Sequence, residues 1–245
     1  MTAAESVPPV RRREGAALAR VQFARLFDLL DTLSPDEWAA PTDCAGWDVK
    51  AIASHVLGGL ESAVPREMVR QLRLGARVAR EEKLPDRNDG MNAVQVRERA
   101  GLSGPDLARL LRERAERLLR HRERTPFLLR YGVWAPLDVA GRKPFAFVID
   151  VIYGRDTLIH RIDVCRATGR DLLLDEVEQR IVADMVREWA ARHGEPVTLR
   201  LGGPAGGTYE CRGGGPPLDL DAVDWVRAVS GRGARAGLLA TPVQV

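Results

Sequence analysis

The run from Pro144 to Thr168 constrains this chain more than any other. Val148, Ile149, Val151, Ile152, Leu158, Ile159, Ile162 and Val164 make it apolar on almost every side, so it reads as a central, buried helix. Gly169 supplies the residue that stops it. Within it Asp156 and His160 stand four apart, and Asp163 follows three further on. Side chains at i and i+4 lie about 6 Å apart at Cβ, close enough for a carboxylate and an imidazole to share a divalent ion. The same spacing also makes an ordinary hydrogen-bonded pair, and buried acids and imidazoles need partners of some kind. A metal site would need a further ligand from elsewhere. The histidines are at 55, 121, 160 and 193, and only His55 has a comparable setting.

His55 follows the turn-rich loop Pro41 to Val49, on a helix whose apolar stripe is Val49, Ile52, Ala53, Val56, Leu60 and Ala63. At 100° per residue it falls beside that stripe, at the border of a buried face and an open cleft. That border suits a metal ligand with an exchangeable position, and it equally suits a satisfied core histidine. Gly58 and Gly59 would let another helix or a ligand come close. His121, among arginines, and His193, at a helix end, read as solvent-facing.

The rest of the chain reads as helices up to residue 194, then alternation. After a loose lead-in over residues 1–12, helices are expected over 13–33, after the Ser34 cap, after Asp48, over 66–82, over 92–99, from Ser103 onward and over 176–192. Residues 84–91 and 125–142 read as irregular. Beyond Pro196, Val197–Leu201 and Thr208–Cys211 alternate as strands around a glycine-rich turn, before a helix through Trp225 to Val229. The expected fold class is therefore mainly α, with a helical domain at 1–194 and a smaller α/β domain at 195–245. The net charge of +3 comes from arginines interleaved with acids, as in Arg112 to Arg117, which is a solvated helix face and no nucleic-acid stripe. Three cysteines without CxxC spacing argue against a disulfide framework and a zinc knuckle. No signal peptide and no apolar run near the roughly 18 residues of a membrane span are visible, so a soluble, cytoplasmic protein is expected, without membrane or nucleic-acid partners.

Pro41-Thr42-Asp43-Cys44-Ala45-Gly46-Trp47-Asp48-Val49 with His55, then Gly154-Arg155-Asp156, His160-Arg161-Ile162-Asp163 and Ala167-Thr168-Gly169-Arg170, together resemble the mycothiol-dependent maleylpyruvate isomerase family. The resemblance runs over nearly the whole chain, with Ser230-Gly231-Arg232 and the tail from Gly237 matching the end of that family's small α/β domain. It implies a DinB-like four-helix bundle, a divalent ion usually taken as zinc, and mycothiol as thiol cofactor. The implied ligands are His55, Asp156 and His160; the isomerase is associated with Glu where this chain has Asp156. A metal with three protein ligands keeps a position open for water or substrate and lowers the pKa of a bound thiol. The implied activity is cis-trans isomerisation or S-transfer on a small electrophile, with a small-molecule substrate and a low-molecular-weight thiol as partners, in a monomer or homodimer. Asp163 is the candidate for orienting an imidazole or an arginine. Arg232 is the candidate for gripping an anionic substrate, since a guanidinium can hold a carboxylate with two parallel hydrogen bonds. Cys44 as nucleophile is disfavoured, because about three helical turns, roughly 16 Å, separate it from His55. The alternative to an enzyme is a metal-containing module that binds a small molecule or partner without chemistry.

Overall fold

A computed structural model describes residues 1–137, 139–233 and 235–245. The chain is mainly helical with a small sheet. In order, the elements are β1 (Thr2–Ala3), α1 (Arg12–Leu30), α2 (Pro35–Trp38), α3 (Val49–Glu61), α4 (Pro65–Glu82), α5 (Arg87–Arg97), α6 (Gly104–Glu123), α7 (Phe127–Gly132), β2 (Trp134–Leu137), β3 (Gly141–Pro144), α8 (Phe145–Phe147), α9 (Tyr153–Thr168), α10 (Glu176–His193), β4 (Val197–Gly202), β5 (Gly207–Cys211), β6 (Pro217–Asp221) and α11 (Ala222–Val229). A π-helical stretch, Val148–Ile152, joins α8 to α9, so the expected central helix is one helical run with a widened turn at its start. No helix among the described residues is long and apolar enough to cross a membrane.

Contacts divide the chain into two compact units, and the division does not follow the linear boundary expected at 194/195. One unit comprises Met1–Gln22, Pro126–Ile162 and Asp171–Val245; the other comprises Phe23–Thr125 and Asp163–Arg170. Helices α1 and α9 thus each contribute to both.

The first unit is built on a four-stranded sheet in the order β1-β5-β4-β6. β4 and β5 are antiparallel with Leu199 opposite Tyr209, and β6 runs parallel to β4. Val197, Leu199, Leu201, Tyr209 and Cys211 point into a core shared with Leu158, Ile159 and Ile162 of α9, Trp189 of α10 and Trp225 of α11. The two indoles meet edge to face at 5.7 Å. Residues 1–12, read as a loose lead-in, are instead docked: β1 pairs in parallel with β5, and Ala4 and Val7 are buried in the same core. A two-residue strand is too short to show alternation, and its partner lies some two hundred residues away. His193 also departs from the reading, being half-buried against Trp189 at 4.2 Å, where burial lowers its pKa.

In the second unit α3 packs against α5 and α6, and α4 against α5. The stretch 84–91 is helical from Arg87 because Asp86 caps it, its carboxylate accepting from the amides of Asn88 and Asp89 at 2.7 and 2.9 Å. The irregular reading of 125–142 is likewise replaced by α7 and the hairpin β2–β3, with Asp138 outside the described residues.

A cluster of charged residues fastens the first unit internally. Arg155 is 1% exposed and donates to Asp184 at 2.6 Å, Glu188 at 2.7 Å and the Gln244 carbonyl at 2.9 Å. Asp184 also accepts from the Val10 amide at 3.1 Å and from Arg187 at 3.0 Å. Burial pushes the Asp184 pKa up, but Arg155, Arg187 and the Val10 amide outweigh it and leave it below the usual carboxylate value. A depressed pKa means stability that is full above the unfolded value near 4 and is lost as pH falls below it. Asp184→Asn is expected to cost about 3 kcal/mol at pH 7 and to flatten the pH dependence of urea unfolding below about pH 4.

Gly15 on α1 faces the π-helical stretch so closely that a Cβ there would lie 2.1 Å from the Asp150 carbonyl oxygen, whereas a Cβ on Gly59 of α3 would meet nothing within 4 Å. Gly15→Ala is expected to lose about 1–3 kcal/mol in denaturant titration, and Gly59→Ala to be neutral or to gain up to about 1 kcal/mol.

Candidate functional site

The apolar helix expected around Asp156 and His160 is in fact laced with charge that the core accommodates. Besides Arg155, Arg161 is buried and donates to Gln22 and Glu178, each at 2.7 Å, and to the Leu173 carbonyl at 2.7 Å. These guanidiniums fasten α9 within the first unit and set which way its remaining polar residues point. In that unit Asp156 and His160 form a pair, with Asp156 Oδ1 3.4 Å from His160 Nε2. The His160 side chain is 5% exposed and that of Asp156 27%. A buried imidazole beside a half-buried carboxylate is a donor set that a proton or a divalent ion can bridge.

The second unit contains His55, and the loop before α3 positions it. Pro41 and Asp48 form an isolated bridge, the Thr42 hydroxyl donates to the Trp47 carbonyl at 2.9 Å, and Asp48 caps α3 by accepting from the Ala51 amide at 2.7 Å. The loop thereby delivers Trp47 onto His55, ring centroids 5.2 Å apart. His55 is half-buried, as its place beside the apolar stripe requires. Its Nδ1 lies 2.8 Å from Gln95 Oε1, and Gln95 Nε2 donates to Gln71 Oε1 at 2.8 Å. Gly58 makes this possible, since a Cβ there would come within 2.5 Å of Gln95 Cγ. Sequence reasoning anticipated the close approach at Gly58 but neither glutamine; an uncharged amide on an amphipathic helix carries no local signal of what it will touch.

Asp163 is fully buried in the second unit, and its Oδ2 accepts from the Cys44 thiol at 3.3 Å. One neighbour of Asp163 is thus a cysteine of the 41–48 loop. Arg232 sits in the turn after α11 and donates to the Ser230 carbonyl at 3.2 Å.

Residues 19–165 match the model of the mycothiol maleylpyruvate isomerase N-terminal domain, more than half of the chain and including Cys44, His55, Asp156, His160 and Asp163. The chain belongs to this family. Two solved structures share the fold: a crystal structure of the mycothiol-dependent maleylpyruvate isomerase, with TM-score 0.57, and one of a histidine-to-alanine mutant of that isomerase, with TM-score 0.56. Each is 18% identical to this chain, and each alignment covers 95% of this chain and 93% of the other. No curated protein matches.

The Cys44–Asp163 contact carries its own prediction. A buried carboxylate stripped of its role leaves donors unsatisfied, which costs about 1–3 kcal/mol. Asp163→Ala is expected to lose that much in urea unfolding, while Cys44→Ser, which keeps a donor of similar shape, should stay within about 1 kcal/mol of the parent. An Asp163→Ala protein as stable as the parent would show that the contact contributes nothing.

Proposed function

We propose that this family member is a metal-dependent, mycothiol-using enzyme of the maleylpyruvate isomerase type, a cis-trans isomerase or S-transferase acting on a small electrophile, with zinc held by His55, Asp156 and His160. The observation that carries the reading is the Asp156–His160 pair on α9, inside the family match and buried on its imidazole side. Two imidazoles and one carboxylate form a common catalytic zinc set.

A bound zinc ion would supply Lewis acidity, which would favour the nucleophilic thiolate form of a low-molecular-weight thiol. The chain's own part is to orient and to exclude water. Trp47 walls one side of His55, and the Asp156 carboxylate lies 3.4 Å from the Nε2 edge of the His160 ring. Arg232, a cation in the turn after α11, is assigned the grip on an anionic group of the substrate.

The reading predicts about one equivalent of metal per chain in protein purified without chelator, and less than a tenth of that in His160→Ala. Cobalt-substituted protein should gain a sulfur-to-metal charge-transfer band when mycothiol is added, and Cys44→Ser should keep it. A metal content near zero in the parent would sink the site. Metal without any response to thiols, in the band or in thermal shift, would replace the enzyme with a binding module.

A further inference from the structure

The hydrogen bonds behind His55 run in one direction only. Gln71 Nε2 donates to the Gly58 carbonyl at 3.0 Å and to Glu67 Oε1 at 3.0 Å. A carbonyl accepts and never donates. Glu67 does the same as long as it is ionised, and Arg70, bound to it through two nitrogens at 2.5 and 2.8 Å, holds its pKa below the usual value. Turning the Gln71 amide over would set its oxygen against two acceptors, so its Nε2 must face them and its Oε1 must accept. The donor it accepts from is Gln95 Nε2, which orients the second amide in the same way. Gln95 Oε1 therefore faces His55 Nδ1 as an acceptor, and Nδ1 must carry the hydrogen.

Both amides are buried, Gln71 at 0% and Gln95 at 1% exposed, so water does not offer an alternative partner that would relax this order. Gly58 serves the chain twice, through its carbonyl and through the missing side chain that admits Gln95. Trp47 packs against the His55 ring, with centroids 5.2 Å apart.

We propose that Gln95, oriented by Gln71, is a positioning residue that holds His55 as its Nδ1–H tautomer, so that Nε2 is the nitrogen bearing the lone pair. Applied to the ion, which rests on the function proposed above, this assigns His55 to ligation through Nε2. The tautomer itself does not depend on a metal.

The test is a two-bond 15N–1H correlation spectrum of the histidine rings in metal-free, full-length protein at pH 8, where an ordinary imidazole is neutral. The His55 signals are assigned by their loss in His55→Ala, and His121 serves as an exposed internal reference. The parent is expected to show His55 with Nδ1 protonated and Nε2 bare. Gln95→Met, of similar length but with no amide, should shift His55 toward a mixture of tautomers and weaken zinc binding about 10–100-fold. Gln71→Met leaves Gln95 in place but unoriented, and should move the tautomer in the same direction. A parent His55 protonated on Nε2, or both variants folded with an unchanged tautomer, would overturn the proposal. Should Gln95→Met fail to fold, the parent spectrum and Gln71→Met still decide. The two readings fail separately: the expected tautomer in a parent that binds no zinc refutes the metal site alone, and zinc bound to a parent whose His55 is protonated on Nε2 refutes the relay alone.

Discussion

A guanidinium taken out of water costs several kcal/mol unless carboxylates and carbonyls replace its hydration, and the first unit is arranged around meeting that demand for Arg155. Asp184 and Glu188 come from α10, the Gln244 carbonyl from the C-terminal tail, and Asp184 in turn accepts from Val10 ahead of α1. Three stretches distant in sequence are thereby fastened to α9. Arg161, two turns further along, repeats the solution with Gln22 of α1 and Glu178 of α10, and Gln22 itself donates to Glu178 at 2.5 Å. With these two residues fixing the rotation of α9 about its axis, the direction of Asp156 and His160 is no longer negotiable.

The second unit reaches the same end with uncharged groups. His55 needs an orientation rather than neutralisation, and two amides anchored on a carbonyl and a carboxylate deliver it. An amide suits this place, because its oxygen accepts the Nδ1 hydrogen without adding a charge. The helix crossing that admits them depends on Gly58 having no side chain.

Membership of the mycothiol maleylpyruvate isomerase N-terminal domain family brings these two arrangements into one functional frame. At 18% identity the solved isomerase structures speak for the fold. The chemistry proposed for this chain rests on its own donors, two imidazoles and an aspartate.

How much was legible follows from the range of each interaction. Asp156 and His160 lie on one helix, so their proximity is a property of the 3.6-residue period and can be read from their spacing. His55 was placed at the edge of its helix's apolar stripe by the same arithmetic, and it is half-buried. The alternation after Pro196 marked β4 and β5 because each has one buried face. Asp163 was singled out by its place three residues past His160, but its spacing gave no sign of Cys44, which only the folded loop supplied as a neighbour. Nothing local distinguishes β1, which consists of two residues completed by Tyr209 and Glu210, or Gln95, whose role depends on Gln71 twenty-four positions earlier and on a glycine of another helix. The sequence by itself determined most of the helices, the strands β4 and β5 and the pairing of groups one turn apart, since these depend on periodicity. Tertiary structure alone decided which buried charge meets which counter-charge and which nitrogen of His55 holds the proton, because those depend on partners that the chain brings together only on folding.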